Sequence, residues 1–476
     1  MQNYRFPEEG LKLPSGEKSR YKANVAAIKL LKAIQAQGRN ATPEEQALLA
    51  LYVGWGGIPN AFNDNDAKWS KEFKELKGLL TEDEYKAARA STLNAHYTST
   101  EVIKAIYKGL EGIGFTGGRI LEPSCGTGNF IGAMPDSLRD AVNGITMVEL
   151  DSITGAIAGL LYPKADVRVQ GFETSRLPDN YFDIAVGNVP FGNFGINDKA
   201  YPKTVTSAIH NYFFAKSLDK VRPGGIVCFI TSRYTMDALG SGVRKYIAAR
   251  ADLIGAIRLP DSAFKANAGT EVVTDILILK KRKPNTPYGG EAFLESEKGY
   301  IRGTGTGLNA SGRGFAGDTG IYVEVNEYFK AHPEMVLGTP ARGRMYRGDS
   351  LTYTALKGDL GKQIVKAFKN ITVKMDYPAV QSPEQAREVI KNNNRGVKNG
   401  SLRVKDGKVY ETDNGEVKET DKIKAKDIAR VEGILKIRDS ARALLNAQLE
   451  GKDEAAIKEL RRELNDNYDK FTKKYG

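Results

Sequence analysis

Cysteine and histidine are scarce in this chain of 476 residues, which holds only Cys125, Cys228 and histidines at 96, 210 and 332. Two thiols cannot build a disulfide framework, and a reducing, cytoplasmic setting is the expectation. Histidines so far apart, without cysteine pairs beside them, predict no metal site of the usual zinc type. No run of 18 apolar residues occurs, and the opening MQNYRFPEEG has no apolar core, so neither a membrane span nor a signal peptide is expected. The pattern GxxxxGK[ST] is missing too, which removes the P-loop nucleotide hydrolases. What is there is 41% hydrophobic and 27% charged residues, the balance of a folded chain long enough for two to four domains.

Charge is uneven along the chain. The formal total is +12, yet residues 1–90 hold 14 basic and 12 acidic side chains and residues 91–285 hold 22 and 18. Residues 339–408 hold 15 and 6, a net of +9 that suits either a module meeting phosphates or a merely solvated basic face.

Four regions follow from patterning. Residues 1–90 read as a helical domain, with Val25, Ile28 and Leu31 at helical spacing and capping boxes at Thr42–Glu45 and Thr81–Glu84. Between the boxes, Gly54-Trp55-Gly56-Gly57 reads as a glycine-broken corner. Residues 91–285 alternate short apolar runs, at 118–121, 145–150, 182–186, 225–231, 253–259 and 272–279, with helical stretches, the rhythm of a doubly wound, mainly parallel α/β sheet. Residues 286–412 form a glycine-rich and basic accessory region, in which Asp406-Gly407 between alternating segments predicts a hairpin. Residues 413–476 predict a C-terminal helical hairpin broken near Gly451.

Two stretches carry chemistry. In Ile120-Leu121-Glu122-Pro123-Ser124-Cys125-Gly126-Thr127-Gly128 a buried strand enters a turn whose two glycines let backbone approach a ligand. Glu149 ends the next strand 21 residues after Gly128, near the spacing at which a carboxylate takes hydrogen bonds from a ribose. The third glycine of a dinucleotide fingerprint is absent, and Glu122 suits an ammonium better than a phosphate, which points to S-adenosylmethionine. The second stretch is Asn188-Val189-Pro190-Phe191 at the end of a later strand. The Asn188 side-chain oxygen and the Val189 carbonyl can accept the N–H bonds of a conjugated amine and favour the pyramidal nitrogen that attacks a methyl group. Phe191 can stack on the base.

These two stretches, in this order, resemble motifs I and IV of the gamma-class N6-adenine DNA methyltransferases, with Tyr97-Thr98 resembling the cofactor-contacting segment ahead of motif I. The chain has valine where that family usually has the first proline of its Asn-Pro-Pro-Tyr/Phe tetrapeptide. Residues 255–264 resemble the segment that sets an aromatic against the target base, which makes Phe264 a second stacking candidate beside Phe191. LYVGWGGIPNAF, STLNAHYTST and IHNYFFAKSLDKVRPGG are similar, more narrowly, to the methylase portion of large methylase–helicase proteins of phages and conjugative elements. The resemblance implies a Rossmann-like methyltransferase sheet with helical additions at both ends, S-adenosylmethionine as cofactor, DNA as partner and a helicase module as a further partner. The chain would then be a fragment or a standalone relative.

The expected site follows. Tyr97, Thr98, Glu122, Pro123, Gly126, Gly128, Glu149 and Glu173 are the cofactor-binding candidates, with Glu173 on the adenine amino group. Asn188, Val189, Pro190 and Phe191 are the catalytic candidates. Arg342, Arg344 and Arg347 are the DNA-binding candidates. The expected reaction is methylation of adenine N6 in DNA with base flipping. A methyltransferase of a protein glutamine amide or an RNA guanine, and an inactive DNA-binding scaffold, stand beside it as alternatives.

Overall fold

Seven strands make the central sheet: β1 (Gly118–Glu122), β2 (Val142–Glu149), β3 (Asp166–Val169), β4 (Phe182–Asn188), β5 (Val221–Ser232), β6 (Ala251–Leu259) and β7 (Thr274–Lys281). Most are apolar along their whole length because helices cover both faces, as a parallel sheet requires. The computed structural model describes residues 2–92, 98–192, 194–264, 272–301, 307–308, 314–315, 321–343, 350–376, 402–413, 416–421, 423–449 and 453–475. Strand order is β3-β2-β1-β4-β5-β7-β6, with β1 through β5 parallel to one another. β7 enters antiparallel between β5 and β6. This is the α/β doubly wound, mainly parallel class expected from the sequence. The chain crosses from β1 to β2 on one side and reaches β4 on the other, so the switch in winding direction falls between β1 and β4.

The contacts divide the chain at residues 382 and 383 into two units. In the first, the N-terminal helices share one hydrophobic core with the sheet. Helix Glu17–Ala36 buries Tyr21, Val25, Ile28 and Leu31, and both capping boxes are formed. Trp55 is buried edge-on against Phe62 at 5.2 Å, so the glycine-broken loop is a structural corner. Helix Thr100–Gly112 meets helix Leu360–Phe368 so closely that a β-carbon on Gly109 would lie 2.2 Å from the Phe368 ring. Of the accessory region, strands Gly338–Gly343 and Ser350–Ala355 pair antiparallel.

The second unit contains the expected hairpin, Leu402–Lys405 paired with Lys408–Asp413 and extended by Glu416–Glu419. Asp406 (φ 51°) and Gly407 (φ 72°) both take the left-handed conformation of its turn. Helices Ile428–Leu449 and Glu454–Tyr475 run antiparallel, with Ser440 bonded to Asn467 and Gly433 facing Phe471.

Candidate active site

Three carboxyl strand ends meet at the switch point: β1 ends on Glu122, β2 on Glu149 and β4 on Asn188. In an open sheet this is where a crevice forms. After β1 the chain turns through Gly126 (φ 56°) and Gly128 (φ 81°) into the short helix Asn129–Gly132. A β-carbon on Gly128 would lie 2.3 Å from the Tyr162 ring and 2.5 Å from Met147 Cε, so space as well as backbone demands glycine. The turn is pinned by Cys125 N–H donating to Val148 O at 2.9 Å.

Glu122 lies under this turn with only 1% of its surface exposed, and its Oε2 has no hydrogen-bond partner among the described residues. Burial, and then the charge of Glu149, push its carboxyl well above the usual carboxylate range. The hydroxyls of Tyr107 and Tyr162 are also buried, with no partners among the described residues. Buried polar atoms left unsatisfied call for a missing donor or acceptor. Glu149 is better served: Oε2 accepts the Gly126 N–H at 2.8 Å and Oε1 accepts that of Asp151 at 2.9 Å. Burial dominates nonetheless and its pKa is raised to about 7. Of the segment ahead of motif I, Thr98 is buried and its hydroxyl has no partner among the described residues, and Tyr97 lies outside them. Pro123 sits in the turn beside Gly187.

On the other side of the crevice, Ser124 Oγ donates to Asn188 O at 3.1 Å, which ties the β1 turn to the end of β4. A β-carbon on Gly187 would lie 3.5 Å from Glu122 Cγ. Val189 is buried and donates its N–H to Ile230 O, while Pro190 and Phe191 are partly exposed. Glu173 follows β3 in a turn, its carboxylate folded over Gly171 and its backbone carbonyl held by Lys216 Nζ at 3.0 Å. Asp261–Phe264 forms a single 3-10 turn after β6, with the Phe264 side chain outside the described residues. Arg342 stands on strand Gly338–Gly343 with its side chain likewise outside them, as are Arg344 and Arg347 entirely.

One cluster near this edge is not signalled by any motif. Arg258 is fully buried and holds Asp275 through Nε at 2.8 Å and Asp237 through NH1 at 2.9 Å. Its NH1 also reaches the Tyr353 hydroxyl at 3.3 Å, and Thr352 Oγ1 donates to Asp261 Oδ2 at 2.7 Å. The accessory strand Ser350–Ala355 is thereby fastened to the 3-10 turn that carries Phe264.

Residues 160–264 match the family model described as Eco57I restriction-modification methylase. The chain is 29% identical over 304 residues to Defense against restriction protein B of Escherichia phage P1, an alignment covering 61% of this chain and 12% of that protein. The chain therefore spans about an eighth of that relative's length. Among solved structures, a class I S-adenosylmethionine-dependent methyltransferase from Listeria monocytogenes is 17% identical, with 58% of this chain and 91% of that one covered and a TM-score of 0.38. A modification subunit of a type I restriction enzyme from Vibrio vulnificus is 16% identical, covering 57% and 78% at a TM-score of 0.36. The segment 160–264, which supplies β3 to β6 of the doubly wound sheet, is thus similar to the methylases of restriction–modification systems. Among the described residues no helix is long and apolar enough to cross a membrane.

Proposed function

We propose that the chain is an S-adenosylmethionine-dependent DNA methyltransferase acting on the N6 amine of adenine. The observation that carries this reading is the meeting of Glu122, the Gly126–Gly128 turn and Asn188 at one switch point. There a buried carboxyl oxygen has no partner among the described residues, and an amide side chain ends the adjoining strand. The residues fit the cofactor. Its positive charge would draw Glu122 toward the ionised form against the burial that opposes it, and it has no phosphate for that carboxylate to repel. Glu122, Pro123, Gly126 and Gly128 would face its methionine side with Thr98 and Tyr97, Glu149 the ribose and Glu173 the adenine amino group.

When bound, the cofactor supplies an electrophilic methyl group on a sulfonium whose sulfur leaves as a neutral thioether. The Asn188 side-chain oxygen and the Val189 carbonyl accept the two N–H bonds of the target amine, draw its lone pair out of conjugation and aim it at the methyl carbon. Pro190 fixes the turn that presents them, and Phe191 stacks on the base, with Phe264 as a second face. A base within a duplex cannot enter such a crevice, so the target nucleotide is flipped out of the stack or taken from a single strand.

Incubation with labelled cofactor and duplex or single-stranded DNA, followed by mapping of modified bases, tests the proposal. Label on adenine N6 supports it. Label on protein or RNA supports the alternative methyltransferases, and cofactor binding without transfer supports an inactive scaffold.

A further inference from the structure

Helices Thr100–Gly112 and Leu360–Phe368 lie side by side and point the same way. At one end Gly361 N–H donates to Glu101 Oε1 at 2.9 Å, and at the other Gly109 meets the Phe368 ring. An open groove of about 450 Å³ runs over the seam, with Ala105, Gly361 and Val365 on its floor. Its rims carry lysine. Lys104 and Lys108 come from the first helix, Lys362 and Lys366 from the second, and Lys369 from the second helix's C-terminal cap. At 1.5 Å rise per residue, lysines four apart on one helix repeat about every 6 Å.

The five lysines share the groove with two carboxylates, and both carboxylates are committed to backbone. Glu101 takes the Gly361 N–H, and Asp359 caps the second helix by taking the Lys362 N–H at 2.7 Å. Lys104 Nζ donates to an uncharged acceptor, Glu8 O, at 2.5 Å. Lys108, Lys362, Lys366 and Lys369 are exposed, and among the described residues none of the five lysines is in an ion pair. A merely solvated face looks different: helix Glu454–Tyr475 intersperses six basic with five acidic side chains.

Unbalanced amines along an open groove suit a polyanion. Protein interfaces are depleted in lysine and are built on large apolar or aromatic anchors, and among the described residues no aromatic side chain lines this groove. Phosphates are met by exposed amines of this kind. Lys362, Lys366 and Lys369 belong to the basic stretch 339–408, and the fold sets two lysines from a distant part of the sequence beside them. The groove also has a direction. Thr98, just ahead of the first helix, lines one cavity with Asn129, the residue after Gly128, so that end stands at the crevice. Past the other end, Met375 N–H donates to Ile113 O and Asp376 N–H to Gly224 O, near the start of β5.

We propose that this lysine-rimmed groove is a DNA-binding surface that holds the phosphate backbone flanking the target site, without regard to sequence. The inference rests on the DNA reading above for the identity of the polyanion. It goes beyond that reading by placing a contact on a helical face outside the crevice, in addition to Arg342, Arg344 and Arg347.

The test measures binding of the full chain to a fluorescently labelled mixed-sequence duplex by anisotropy over a series of salt concentrations. The groove variant carries Lys108→Gln, Lys362→Gln, Lys366→Gln and Lys369→Gln. Its log–log dependence of affinity on salt is expected to flatten by about 2–3, at about 0.9 per lost phosphate contact, with affinity about 10- to 100-fold weaker at about 0.1 M salt. Lys362→Gln with Lys366→Gln alone should flatten it by about half as much, so the claim does not hang on one variant. The four matching Lys→Arg changes keep the charge and should keep the slope. A control removes the same charge elsewhere, through Lys458→Gln, Lys470→Gln, Lys473→Gln and Lys474→Gln, and should leave the slope within about 0.5 of wild type. Urea midpoints equal to that of the wild type show that the variants fold. If the groove variants keep the wild-type slope, or the control flattens it as much, the assignment is overturned. Labelled poly-glutamate is the second probe: groove variants that lose poly-glutamate and hold DNA at full slope would give the surface to an acidic protein partner and overturn the proposal. A wild-type chain that binds no DNA overturns the DNA reading itself, which is a separate outcome.

Discussion

Glu149 is asked to be both a structural acceptor and a ligand for ribose. Its two oxygens already take the N–H groups of Gly126 and Asp151, yet burial raises its pKa from the ordinary 4.5 to about 7. A carboxyl with a folded pKa above its unfolded one is protonated more readily in the native state. Its stabilising contribution is complete below about pH 4.5 and is lost as pH rises through 7. Glu149→Gln should therefore flatten the fall in unfolding free energy between pH 5 and 7.5 by roughly 1–3 kcal/mol, with partial exposure allowed for. Denaturant titrations across that range would show it, and an unchanged slope would mean that Glu149 is ionised throughout. Cationic ligands act the other way, because they favour the ionised carboxylates. Affinity for S-adenosylmethionine should rise between pH 6 and 7, by at most about tenfold per pH unit for one released proton. Asn188 makes a separate claim. Asn188→Ala should lower methyl transfer by about 10²–10³, the cost of one positioned electrostatic partner, with cofactor affinity near wild type. Single-turnover kinetics beside calorimetry separates the two, and turnover within threefold of wild type would remove Asn188 from the chemistry. These residues were legible in the sequence because each stands at a fixed offset from the end of an apolar run.

At the level of elements, apolar runs announced the sheet strands, and capping boxes announced two of the N-terminal helices. Run 272–279 gave no sign that its strand enters antiparallel between β5 and β6, since a strand buried on both faces reads the same in either direction. The cluster of Arg258, Asp237 and Asp275 was equally silent, being assembled from three separate segments. It fastens the accessory strand to the sheet through Tyr353. Arg258→Leu would strand the Asp275 carboxylate in the interior and leave Asp237 with Arg233 as its one ion-pair partner among the described residues, and it should cost about 3–5 kcal/mol of stability in urea titrations. A loss below about 1 kcal/mol would mean that water reaches the cluster. The contact of Gly109 with Phe368 makes a smaller demand. Alanine there gains helix propensity but drives a methyl group into an aromatic ring, so Gly109→Ala should destabilise by about 1–3 kcal/mol on balance.

On the scale of the molecule, residues 339–408 carry a surplus of nine positive charges, which is the motive for placing the proposed DNA grip there. Strands Gly338–Gly343 and Ser350–Ala355 are paired up to Gly343 and Ser350, and the stretch at that end carries Arg342, Arg344 and Arg347. The same pair of strands is anchored at Thr352 to Asp261, in the turn that ends on Phe264. A basic segment moored beside the stacking candidate could hold the phosphate backbone while a base enters the crevice, and that would couple grip to chemistry. Phosphate contacts release counterions, so each one lost should flatten the log–log dependence of duplex affinity on salt by about 0.9. Alanine at Arg342, Arg344 and Arg347 together should lower the slope by up to about 3 and weaken binding evenly across sequences, with cofactor affinity unchanged. Fluorescence anisotropy against salt measures both. A slope equal to that of the wild type would move the DNA surface elsewhere, most directly to the crevice mouth beside Phe191. The rate of methyl transfer at saturating DNA then discriminates further: if the arginines only grip, it stays constant, and if the moored strands also set the Phe264 turn, it falls with the slope.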